Sequence, residues 1–152
     1  MKNHEGYIDM TAYKAIKNVE NEEKKEYLNR YKKICINIDR LSKSISVLRC
    51  RAVNPTVYLD GMPKAKNSHD LSNYAALLDE KQREVAELEE EKENVRKEIT
   101  ARAGKLENGN ENDVILFRYI DLLKWEYIAD IMGYSVQHVH RIHSSALRNF
   151  TI

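Results

Sequence analysis

Apolar side chains recur at alternating steps of four and three residues between Tyr27 and Leu48. The positions are Tyr27, Tyr31, Ile34, Ile38, Leu41, Ile45 and Leu48. An average step of 3.5 residues is the heptad repeat of α-helices that wrap around a partner helix, whereas a β-strand repeats every two residues. The spacing therefore predicts a helix with one apolar seam.

The same alternation of steps returns between residues 71 and 106. The positions are Leu71, Tyr74, Leu78, Lys81, Val85, Leu88, Lys92, Val95, Ile99, Arg102 and Leu106. Three basic residues weaken this second seam, but its period still predicts a long helix. Residues 8–20 carry a weaker amphipathic pattern, which predicts a separate short helix.

Two stretches rich in turn-forming residues divide the chain. Both prolines, Pro55 and Pro63, fall in residues 54–70 together with Gly61, and a second break with two glycines and three asparagines covers residues 104–113. We therefore predict a helical coiled-coil region over residues 1–107, with its loop at 54–70, and a separate domain over residues 111–152.

Charge is distributed unevenly although the whole chain carries a net charge of only +1. Residues 28–53 hold seven Lys or Arg and one acid, whereas residues 79–98 hold nine acids and five bases. Opposite charge on two seamed helices favours an antiparallel coiled-coil hairpin, formed within one chain or across a dimer. Each helix is then foremost a packing element, and the total charge exerts no general attraction on nucleic acid.

Composition and the absence of familiar motifs narrow the class of protein further. Five Gly, two Pro and 32% charged residues are typical of an all-α protein. The sequence shows no apolar run long enough for a membrane span and no secretory signal, so we expect a cytoplasmic protein. It also lacks the glycine-rich, nucleophile and metalloprotease motifs of common enzymes, so we expect no enzymatic activity and no cofactor.

The C-terminal forty residues carry the strongest functional signal. Three apolar periods, beginning at Val114, Trp125 and Val136, predict three short helices. Between the last two, Ala129 is small, Gly133 suits a sharp turn, and Ser135 stands where a helix N-cap is expected. A small residue, a glycine turn and a capped helix predict a helix-turn-helix in which Val139 packs under Ile128.

The last predicted helix, residues 135–150, contains no acid and is the candidate DNA-reading element. Its polar residues, together with Lys124 and the turn residue Tyr134, have side chains that can contact base edges or phosphates. The candidate DNA-binding residues are Lys124, Tyr134, Ser135, Gln137, His138, His140, Arg141, Ser144 and Arg148. Of these, Lys124, Tyr134 and Arg148 are candidates for phosphate contacts.

Three histidines of this helix raise the alternative of a metal site. His140 and His143 are three residues apart, but His138 points elsewhere and no further ligand follows at metal-binding spacing. We expect no metal and assign these histidines to polar surface contacts, which would make DNA binding sensitive to pH near their ordinary pKa of about 6.5. Trp125 is expected in the core because the apolar period includes it.

The C-terminal residues resemble region 4 of sigma-70-type factors. The resemblance rests on Phe117–Ile120, Leu123–Ala129, Gly133–Ser135, Val139–His143 and Ala146–Leu147. The chain is also similar to a phage and prophage family of small transcriptional regulators of Gram-positive bacteria, through Gly61-Met62-Pro63, Asp70 and the acidic helix that follows. Relatives with this C-terminus include activators of phage late genes.

This resemblance implies a sequence-specific DNA-binding transcriptional regulator of phage or prophage origin. It also implies a location in the cytoplasm of a bacterial host cell, in association with the nucleoid when the protein is bound to DNA. In sigma factors region 4 reads the −35 promoter element and touches RNA polymerase, so double-stranded DNA and RNA polymerase are the implied partners. No counterpart of sigma region 2 is present, which predicts that the protein acts as a homodimer or beside another factor. The alternative is an adaptor that binds polymerase or a sigma factor without DNA specificity of its own.

Overall fold

The computed structural model describes residues 10–53 and 68–152, and every regular element within these ranges is an α-helix. The helices are α1 (Met10–Leu28), α2 (Arg30–Val53), α3 (Ser68–Ala103), α4 (Gly109–Tyr119), α5 (Trp125–Met132) and α6 (Val136–Asn149). The predicted all-α class is confirmed. None of the described helices combines the length and apolar character needed to cross a bilayer.

The chain forms two compact units that do not follow its order in sequence. One unit combines the residues up to Lys32 with Arg96–Ile152, and thus holds α1, the end of α3 and all of α4, α5 and α6. The other unit comprises Lys33–Val95. The predicted domain bounds, 1–107 and 111–152, are based on linkers and remain a prediction.

In the second unit, the predicted seam positions are sheltered from water wherever their side chains are described, as are Cys35, Ser44 and Glu93. On α2, Ile34 and Ile45 are buried and the other seam positions are half-buried, whereas Ile36 and Val47 off the seam are exposed. On α3 the predicted positions from Tyr74 to Lys92 are all half-buried. Of the predicted loop, residues 54–67 lie outside the described residues, and residues 68–70 belong to α3.

The boundary between the first two helices differs from the predicted one. The helix expected over residues 8–20 extends to Leu28, and Asn29 separates it from α2. Tyr27, the first position of the predicted seam, therefore belongs to α1. Beside this break the Arg30 side chain donates a hydrogen bond from Nε to the carbonyl oxygen of Tyr27, at 3.2 Å.

The first unit has a small apolar core that positions α5 and α6. Val114, Ile128, Ala129 and Val139 are buried against one another. Phe117, Leu123, Trp125, Met132 and Ile142 pack around them. The predicted burial of Ala129 at the crossing of α5 and α6, and the packing of Val139 with Ile128, are confirmed.

The N-terminal helix α1 is fastened to the end of α6 by a buried lysine. Lys24 is only 6% exposed, and its Nζ donates a hydrogen bond to the carbonyl oxygen of Leu147 at 3.0 Å. That carbonyl belongs to the last turn of α6, where backbone oxygens lack partners within the helix and the helix dipole is negative. The lysine therefore satisfies an unpaired carbonyl and complements the dipole, while Glu20 balances its charge at 3.0 Å.

A polar cluster joins the ends of α1, α2 and α3 in the same unit. Tyr27 donates a hydrogen bond to Glu98 at 2.5 Å, and Arg30 lies 2.9 Å from the same carboxylate. Burial and the hydrogen bond to Glu98 raise the pKa of Tyr27 to about 12. The hydrogen bonds from Tyr27 and Arg30 lower the pKa of Glu98, so the carboxylate stays ionised and the cluster holds the three helices together.

Candidate nucleic-acid interface

A tight glycine turn sets the angle between α5 and α6. Gly133 has φ 69° and ψ 30°, in the left-handed region that favours glycine. Its amide donates to the carbonyl of Asp130, and the amide of Tyr134 donates to the carbonyl of Ala129 at 3.0 Å. This pair of bonds is a Schellman motif, which ends α5 and turns the chain into α6 within three residues. The predicted role of Gly133 is confirmed.

Ser135 caps the start of α6 as predicted. Its backbone is extended, and its Oγ accepts a hydrogen bond from the amide of His138 at 3.2 Å. One of the unpaired amides at the helix start is thereby satisfied, which fixes the first residue of α6 at Val136. The hydroxyl of Ser135 is thus engaged in the cap, on a residue that remains exposed.

One face of α6 carries four of the candidate DNA-binding side chains. We name this face the α6 stripe; it consists of Gln137, Arg141, Ser144 and Arg148, all exposed. Their spacing of 4, 3 and 4 residues places them in one row along the helix. The opposite face, with Val139, Ala146 and Leu147, is buried. α6 thus presents two positive charges and no carboxylate to solvent.

The remaining candidates are exposed but lie to either side of the α6 stripe. The ring of His138 lies 4.8 Å from that of Tyr134, whose hydroxyl accepts a hydrogen bond from Asn110 at 3.4 Å. His140 lies on the other side, with its ring 4.5 Å from that of Trp125. Lys124 precedes the first turn of α5 and makes no capping hydrogen bond. The structure therefore brings the candidate residues together around α6, but their side chains lie on the α6 stripe and on both sides of it.

His143 differs from the other two histidines, and its predicted assignment to the surface is wrong. It is 7% exposed, and its Nε2 is 3.0 Å from the hydroxyl of Tyr119. Burial, aided by the positive charge of Lys25, lowers the pKa of His143 to about 4. The ring is therefore neutral between pH 6 and 8, and His143 cannot contribute to pH-dependent DNA binding in that range.

Trp125, which was expected in the core, packs against the core residues but is only half-buried, and part of its ring contacts Arg118. The guanidinium of Arg118 lies 4.6 Å from the centre of the Trp125 ring, and Arg118 also donates to the carbonyl of Leu123 at 2.9 Å. A cation above an indole ring is attracted by the negative face of the ring. Arg118 was not among the predicted site residues. It follows Phe117 of the apolar period by one residue, a spacing that indicates a partly exposed side chain.

The N-terminal helix α1 contributes to this surface, which sequence reasoning missed altogether. A groove of about 550 Å³ runs between α1 and α6, and its lining includes Asn18, Asn21 and Lys25 from α1 together with His140 and Ser144. These segments are more than a hundred residues apart in sequence. A local sequence pattern cannot predict that two such distant segments pack side by side, so the groove is recognised only in the folded chain.

The outer face of α5 has a different character from α6. Tyr127 is 62% exposed and Ile131 is 58% exposed, one turn apart. Glu126 and Asp130 are exposed beside them. An apolar pair flanked by carboxylates suits contact with protein better than contact with phosphates.

Within the described part of the chain, no three His, Cys, Asp or Glu side chains are grouped as metal ligands. Comparison with models of known families, with curated proteins and with solved structures finds no match to this chain.

Proposed function

We propose that this chain is a sequence-specific DNA-binding regulator of transcription in which α6 enters the major groove. The observation that carries the proposal is the α6 stripe, an exposed row of hydrogen-bonding and cationic side chains on a helix that shows no acid. A helix with such a face, held at its start by a cap and a glycine turn, has the properties of a recognition helix.

Individual contacts follow from the chemistry of the α6 stripe. Arginine can donate two hydrogen bonds to guanine and glutamine can pair with adenine, so Arg141 and Gln137 are assigned to base reading. Arg148, Lys124 and Tyr134 are assigned to phosphates, which position the protein without specifying sequence. This division fits their positions, because Gln137 and Arg141 lie in the N-terminal half of α6 and Arg148 lies in its last turn.

The proposed architecture has a helix-turn-helix formed by α5 and α6, resting on α4, and a coiled-coil hairpin formed by α2 and α3. The geometry of Gly133 and Ser135 supports the first part, and the sheltered seams of α2 and α3 support the second. Together with the residues quoted above, this supports a regulator of the phage and prophage type with a C-terminus like sigma-70 region 4.

Binding fragments of bacterial genomic DNA to the full chain, followed by sequencing, tests the proposal and identifies the target site. On that site, Gln137→Ala and Arg141→Ala are each expected to weaken specific binding by about 1–3 kcal/mol. Gln82→Ala and Arg83→Ala, at exposed positions of α3, are matched controls that should keep wild-type affinity. Wild-type affinity of both α6 variants would remove α6 as the reading element.

The exposed face of α5 favours a second candidate, an adaptor that binds RNA polymerase or a sigma factor. Tyr127 and Ile131 would then form the contact, and DNA specificity would come from the partner. The two candidates differ in how their DNA affinity depends on salt. A protein whose cations neutralise DNA phosphates releases counterions, so its affinity for DNA falls steeply as the salt concentration rises. The adaptor would be favoured if the wild-type chain co-purified with polymerase, Ile131→Asp did not, and the wild-type chain left the electrophoretic mobility of DNA fragments unchanged.

A further inference from the structure

The groove between α1 and α6 is polar and carries an excess of positive charge. Lys25 and Arg118 are cations among the residues that line it, and Glu22 is a carboxylate there. The Glu22 carboxylate lies 2.7 Å from the Lys25 ammonium, so its charge is largely compensated. The amides of Asn18 and Asn21 add hydrogen-bond donors. The described lining is therefore suited to an anion that accepts several hydrogen bonds.

The groove lies on the flank of the proposed reading face. His140, which lines it, precedes Arg141 of the α6 stripe by one residue and so points about 100° away around the helix. Ser144 belongs to both surfaces, so the groove and the α6 stripe are continuous. A ligand that contacts the α6 stripe can therefore extend into the groove.

The dimensions of DNA indicate which part of the duplex would lie against the flank of α6. An α-helix with its side chains is about 10–12 Å across, close to the roughly 12 Å width of the major groove. A helix that turns one face to the bases therefore turns its flanks to the two sugar–phosphate walls. Cations and amides on a flank are then placed to receive a phosphodiester.

We propose that the groove between α1 and α6 binds the phosphodiester backbone beside the bases that α6 reads, with Lys25 and Arg118 as its cations. This inference rests on the proposed function and adds α1 to the DNA interface. The contact is independent of base sequence, because the groove meets only the backbone. It therefore adds affinity to cognate and non-cognate DNA alike.

Replacing Lys25 tests the contact. Lys25→Gln is expected to weaken binding several-fold on both the cognate site and a scrambled fragment. The slope of log K against log salt, which is negative, should become shallower by about 0.9, the value for one phosphate contact. Lys43→Gln is the matched control, because Lys43 is also paired with an acid of its own helix, Asp39, at 2.6 Å, and does not line the groove.

Replacing Glu22 gives a test in the opposite direction. Because Glu22 is paired with the Lys25 ammonium, Glu22→Gln frees that ammonium for a phosphate. The variant is therefore expected to bind several-fold more tightly on both fragments, an outcome that a merely destabilised variant would not produce. Glu89→Gln is the control, because Glu89 pairs with Lys92 at the same spacing of three residues.

Different outcomes separate this inference from the proposed function. If the wild-type chain binds its cognate site but neither groove variant changes affinity or salt slope, the groove contact is refuted and the function stands. A change of affinity on the cognate site alone would also refute the groove contact, because an effect that depends on sequence would indicate base reading. If the wild-type chain binds no DNA at any salt concentration, the proposed function fails and this contact fails with it.

Discussion

The neutral ring of His143 is part of the framework of α6 rather than of its surface. Its hydrogen bond to Tyr119 lies between α4 and α6, and burial also raises the pKa of Tyr119 to about 12. The ring lies 4.9 Å from that of Trp125 as well. A proton on His143 would place a charge in this sheltered position, close to Lys25 and Arg118.

This burial predicts a loss of stability in mild acid. The pKa of His143 is about 4 in the folded chain, against about 6.5 when unfolded. The unfolded chain therefore binds more protons between these values, and the free energy of unfolding falls as pH decreases from about 6.5 to 4. The contribution of His143 to this slope is at most about 1.4 kcal/mol per pH unit.

Urea unfolding of His143→Gln and of the control His138→Gln measures this effect. The His143 variant is expected to show a shallower loss of stability between pH 6.5 and 5, whatever its stability at pH 7, while the His138 variant keeps the wild-type slope. Protonation of Glu98, whose pKa is lowered, acts only at more acidic pH. Equal slopes in all three proteins would contradict a buried neutral His143.

The turn between α5 and α6 shows how one residue determines the relation of two helices. Gly133 lies in the left-handed region, and a Cβ built on it would meet no atom within 4 Å. Any penalty for a side chain there is therefore backbone strain alone. Leu122, in the turn between α4 and α5, adopts φ 56° without being glycine, so that turn already carries such strain.

Gly133→Ala is expected to lower the free energy of unfolding by about 1–2 kcal/mol, the penalty for a left-handed L-residue. Gly109→Ala is the control, because Gly109 also has no atom near the position of a Cβ and does not have positive φ. It begins α4, so it should keep or slightly raise stability. Thermal unfolding of both variants measures the difference, and equal stability would show that the turn relaxes.

Local elements could be predicted from sequence and long-range contacts could not. The seam from Ile34 to Leu48, the cap at Ser135 and the glycine turn each depend on neighbours within one or two helical turns, and the structure agrees with them. The groove forms only because α1 packs against α6, and the burial of Lys24 depends on the same contact. His143 was misassigned because its polar type concealed its position on the buried face of α6.

At the scale of the whole molecule, exposed apolar side chains on α2 are a candidate contact for the homodimer predicted from the sequence. Ile36 is 47% exposed and Val47 is 50% exposed, and eleven residues, or three helical turns, separate them on one face. A two-fold dimer buries the same surface on both copies and would present two α6 helices to a pseudo-palindromic site.

Light scattering during size-exclusion chromatography tests this dimer. The wild-type chain is expected at twice the 17.8 kDa of one chain, and Ile36→Glu at that single-chain mass. Asn37→Glu introduces the same charge at the next, exposed position and should remain dimeric. The monomeric variant should bind a half-site normally and lose affinity for the full site. A monomeric wild-type chain would contradict the dimer.

The first compact unit is assembled from two stretches of chain separated by residues 33–95. Lys24 and Leu147, which are joined by a hydrogen bond, are 123 residues apart. Bringing such stretches together has an entropic cost that rises with the length of flexible chain between them, by about 0.6 kcal/mol for each doubling. Helical order in α2 and in the part of α3 up to Val95 shortens the flexible chain between the two stretches. Substitutions that unfold α2 or this part of α3 should therefore lower the stability of the first unit through loop-closure entropy, although they lie far from α6 in sequence.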